Sequence, residues 1–114
     1  MTEEQTKPVT PADTWLEVIV LLCEAADRGY RHTATDLAAH STALGADILA
    51  AEATALIPTE QAAQLDDVVL EESTAKLDMA GLILAAEAAT RRHPIEQLPP
   101  GASRIIVALC TLAG

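Results

Sequence analysis

The sequence predicts an all-α protein, a four-helix bundle that associates with itself, and three observations carry that expectation. Half of the 114 residues are apolar, yet only Trp15 and Tyr30 are aromatic and Phe is absent. Ala fills 23 positions and Leu 15, so helix formers outnumber the β-branched and aromatic residues of sheets. The apolar residues also recur at helical spacing between proline-marked breaks. The length suits one domain, here 10–114, behind a short polar tail over 1–9 that is expected to be disordered.

The first helix is expected over 11–28. Thr10 stands as N-cap, Pro11 takes the first helical position, Asp13 the third, and Gly29 marks the end. The second helix, 34–57, has Thr33 or Thr35 as its cap and Pro58 as its stop. A third is expected over 60–92, unusually long, with a possible break near Ser73-Thr74, where hydroxyls compete for backbone hydrogen bonds. The segment Pro94–Gly101 reads as a loop, and a fourth helix follows over 102–113.

Related hexapeptides occur in three of these helices: Val20-Leu-Leu-Cys-Glu-Ala25, Ile48-Leu-Ala-Ala-Glu-Ala53 and Ile83-Leu-Ala-Ala-Glu-Ala88. A shared demand for small, helix-lining residues accounts for them, as an ancient duplication would.

Turning each residue by about 100° assigns faces. The first helix gathers Trp15, Val18, Ile19, Leu22, Cys23 and Ala26 on one side. The second sets Leu37, Ser41, Leu44, Gly45, Ile48, Leu49 and Leu56 opposite a polar stripe of Asp36, His40 and Asp47. The third carries two opposed apolar seams, which implies burial on both sides: either it is central, or its second seam meets another subunit. The fourth is apolar nearly all round. A 12.0 kDa chain covers so much apolar surface poorly, so a homodimer is expected.

The 17 acidic against 7 basic side chains give a net charge of −10, which argues against nucleic-acid and anionic-membrane partners. The first residues lack the apolar run of a secretory signal. No apolar run approaches the ~18 residues that cross a bilayer. Cys23 and Cys110 are too few for a disulfide framework and read as small buried hydrophobes of a reducing, cytoplasmic protein.

Three functional readings follow. The first is an interaction or accessory module, acting through self-association and protein partners without a cofactor. The second is a cofactor-free small-molecule-binding protein or enzyme with Glu52 as acid or base in an apolar cavity, Arg104 and Tyr30 beside it. Glu52 falls within the apolar face of its helix with no cation within four residues. Arg104 opposes the dipole at its helix start, so a carboxylate partner, Glu52 or Asp47, would explain it. Buried together, the pair would make loss of either partner cost roughly 3–5 kcal/mol. The third reading is a metal site: His32, Asp36 and His40, spaced i, i+4, i+8, present imidazole and carboxylate along one face. Di-iron carboxylate bundles need Glu-x-x-His pairs, and the chain has none. The acidic runs Asp66-Asp67 and Glu71-Glu72 read as a solvated face, with docking of a basic protein as the functional alternative.

Overall fold

The computed structural model describes residues 9–32 and 36–114. The expected disorder of the tail, apart from Val9, and the caps Thr33 and Thr35 lie outside those residues. Among the described residues every regular element is helical.

Helix α1 (Pro11–His32) begins as the sequence requires, the Asp13 amide donating to Thr10 Oγ1 at 3.0 Å. It does not stop at Gly29. That residue is buried inside the helix, and a Cβ there would lie 2.5 Å from both Ala43 Cβ and Met79 Sδ. The glycine serves close packing of helices rather than termination. Helix α2 (Leu37–Ala55) starts from Asp36, whose carboxylate accepts the Ala39 amide at 3.1 Å.

The single long helix over 60–92 does not form. In its place come α3 (Thr59–Ala62), a 3₁₀ turn (Ala63–Asp67), an extended run, α4 (Glu72–Ala75) and α5 (Met79–Ala89). Two side chains account for much of the interruption. Arg28 reaches from α1 to the carbonyls of Ala75, at 2.6 Å, and Leu77, taking acceptors that a continuing helix would use itself. Asp78 accepts the Gly81 amide at 2.9 Å and so caps a new helix. Residues 94–101 hold one 3₁₀ turn (Ile95–Gln97), and Gly101, at φ +94°, leads into α6 (Ala102–Ala113), over the residues expected of the last helix; the described residues hold six α-helices where four were expected.

Helix α1 packs against α2 and α5, and α6 packs against the same two. Helix α1 makes the most extensive of these contacts, and so takes the central place that was one of the two alternatives for the third helix. Trp15, Leu16, Val18, Ile19, Leu21, Leu22, Ala25 and Ala26 bury a wide arc of it. Trp15 is fully enclosed and donates its indole N–H to the Ala53 carbonyl at 3.1 Å. Cys23 lies off this arc and is exposed, as is Cys110, which corrects the expectation of buried thiols.

The largest departure concerns α2. Its core face is Ala43, Ala46, Leu49, Ala50 and Ala53, while Leu37, Ser41, Leu44 and Ile48, expected inside, face outward. Small residues admit α2 to within a methyl group of α1 at Gly29, and of its bulky ones Leu49 alone keeps its expected place inside, while Leu37, Leu44 and Ile48 are left on the far side.

Candidate functional site

Helices α2 and α6 run antiparallel, with Gly45 against Leu112 near one end and Glu52 against Arg104 near the other. Between them lies an open apolar groove of about 430 Å³, floored by Leu49, Ala108 and Leu112 and edged by Ile48 and Thr111. Beside it, α2 exposes Leu37, Ser41, Leu44, Ile48, Ala51 and Ala55, spaced alternately by four and three residues. That is the spacing of a helix seam that receives another helix. Val107, 66% exposed, continues the patch on α6.

Glu52 and Arg104, singled out from the sequence, do meet: Arg104 Nη1 lies 3.8 Å from Glu52 Oε1. Their environment differs from the one expected, since the two side chains are 39% and 74% exposed. They form a wet pair across α2 and α6, outside the residues that line the groove, rather than a charge buried in a cavity. Tyr30 is elsewhere. Its ring lies 5.1 Å from that of His40, and desolvation, followed by the nearby Asp47 carboxylate, raises its phenol above the ordinary value.

For the metal reading, Asp36 is engaged as the α2 cap and His40 packs on Tyr30. The side chain of His32 lies outside the described residues. Among the described residues no three His, Cys, Asp or Glu side chains gather as a metal would need.

The most enclosed carboxylate among the described residues is Glu87 of α5. Its side chain is 11% exposed, pairs with Arg91, and accepts the Cys110 thiol at 3.4 Å. Desolvation first, and then Glu87, raise that thiol above its usual pKa; Cys23 is raised by desolvation, then by Asp47 and Glu24. Thiols flanked by carboxylates and raised in this way are poor nucleophiles. The repeated hexapeptides held the available signal. Their glutamates, Glu24, Glu52 and Glu87, each pair with an arginine, namely Arg28, Arg104 and Arg91.

A second, larger cleft, about 700 Å³, opens between the start of α1 and the segment that replaces the long helix. There Arg92 grips Glu17 through both of its terminal nitrogens, at 2.7 and 3.2 Å. Behind it, buried Thr14 shares a 2.9 Å hydrogen bond with His93 Nε2.

No helix among the described residues is long and apolar enough to cross a membrane. No protein-family model, curated protein or solved structure matches this chain.

Proposed function

We propose that this chain is a helical interaction module, a four-helix bundle that forms a homodimer through the outer face of α2 and α6 and acts through protein contacts. The inversion of α2 carries the reading: alanines face the core while Leu37, Leu44 and Ile48 face outward. A solvent-facing helix surface normally carries polar residues, whereas a 4–3 stripe of Leu, Ile and Ala is suited to packing against a second helix. The small exposed residues Ser41, Ala51 and Ala55 let another helix approach closely. Glu52 and Arg104 sit at the margin with opposite charges, so each has a complement on a two-fold-related copy. In this reading the pair sets register, in place of acid–base chemistry. The two free thiols fit a reducing, cytoplasmic setting. Light scattering over a micromolar dilution series tests the proposal. It should give about 24 kDa, twice the 12.0 kDa chain, falling towards 12.0 kDa on dilution. A mass fixed at the monomer value throughout would overturn it.

A further inference from the structure

The larger cleft offers a surface independent of the α2–α6 face. Its floor is apolar: Leu16 is buried, and Val68 and Leu70 pack against the core. Its rim carries Asp13, Glu17, Asp67 and Glu71 against one cation, Arg92, already held by Glu17. Asp13, Asp67 and Glu71 enter no ion pair among the described residues. Among the described residues the cleft thus presents four carboxylates to one guanidinium, on which both Glu17 and Glu71 act, around an apolar floor.

One wall has a further property. The chain is extended from Val68 (φ −76°, ψ 125°) to Glu71 (φ −60°, ψ 149°). Val68 and Leu70 turn inward, while Val69, 89% exposed, and Glu71 turn outward. Neither Val69 nor Leu70 forms a backbone hydrogen bond among the described residues. An extended run with unpaired amides and carbonyls is a template for another strand.

We infer that this cleft binds an extended cationic peptide segment in which Lys or Arg alternates with apolar residues. The segment pairs its backbone with Val69 and Leu70. Its apolar side chains rest on Leu16, Val68 and Leu70, and its cations face Asp13, Asp67 and Glu71. Alternation in the ligand matches the alternation of the wall, because successive side chains of a strand point to opposite sides. The charge selects against acidic partners, nucleic acid among them.

A fluorescein-labelled ten-residue peptide of alternating Lys and Val is the probe, with alternating Glu and Val as control, titrated with the full chain and followed by anisotropy. The Lys peptide should bind saturably and the Glu peptide should not. Asp67→Lys with Glu71→Lys should weaken binding by about tenfold or more, through like-charge repulsion. Glu60→Lys with Glu96→Lys changes net charge equally at exposed positions off the cleft, and should leave affinity within about twofold at ordinary ionic strength. Val69→Pro, which deletes one amide N–H at an exposed position, should also weaken binding, and circular dichroism verifies the fold of each variant. Absence of saturable binding, equal loss from both charge-reversal pairs, or full affinity in Val69→Pro would each overturn the inference.

Discussion

A carboxylate 39% exposed and 3.8 Å from a guanidinium that is itself 74% exposed adds little to stability. Water screens both charges, and holding two long side chains in place costs entropy, so such pairs contribute roughly 0–1 kcal/mol. Glu52→Gln should therefore lower stability by less than about 1 kcal/mol in chemical denaturation, with coupling to Arg104→Ala near about 0.5 kcal/mol or less in a double-mutant cycle. A loss of about 3–5 kcal/mol would instead mark a buried pair. The partner of Glu52 was legible in the sequence, because a cation at a helix start asks for a carboxylate. Its exposure was not, because a helical wheel shows which face is apolar but not which face is turned inward. Glu87 illustrates the converse. Its i, i+4 link to Arg91 was visible locally, whereas its enclosure depends on Cys110, which α6 brings from 23 residues away.

The elements follow local chemistry wherever that chemistry acts within one turn. Thr10 and Pro11 set the start of α1, and the proline-rich segment before Gly101 separates α5 from α6. Gly29 misleads for a physical reason: glycine favours both helix ends and close contacts, and only the position of Ala43 and Met79 reveals which demand applies. Gly29→Ala should force α1, α2 and α5 apart, because neither a methyl on Ala43 nor the Met79 sulfur at 2.5 Å leaves room for a new carbon. Overpacking of this kind costs about 1–3 kcal/mol, which exceeds the roughly 1 kcal/mol that alanine gains over glycine inside a helix except at the low end. Thermal melting should register a clear loss; an unchanged or raised melting temperature would show that the contact relaxes freely. The missing long helix has a similarly non-local origin. Propensity over 60–92 favours helix, but Arg28 of a different element takes the carbonyls of Ala75 and Leu77. The Asp78-x-x-Gly81 cap was the local sign of a restart.

At the scale of the molecule, helical class and the excess of apolar surface were readable from composition and periodicity. Which helix is central was not, because the bulky stripe of α2 satisfies the helical period equally well facing in or out. Choosing alanine for the α1–α2 contact leaves Leu44, Ile48 and Val107 exposed together, and the proposed dimer would cover them. Two copies each carrying −10 repel, so added salt should strengthen this association by screening, the reverse of its effect on the acidic cleft. The most direct measurement is sedimentation velocity at micromolar concentration on three proteins: wild type, Leu44→Glu with Ile48→Glu, and Leu84→Glu. All three substituted residues are about half exposed, so the variants should fold. The account predicts about 24 kDa for wild type and for Leu84→Glu on α5, and 12.0 kDa for the α2 pair. A monomeric wild type, or dissociation by Leu84→Glu while the α2 pair stays dimeric, would contradict it.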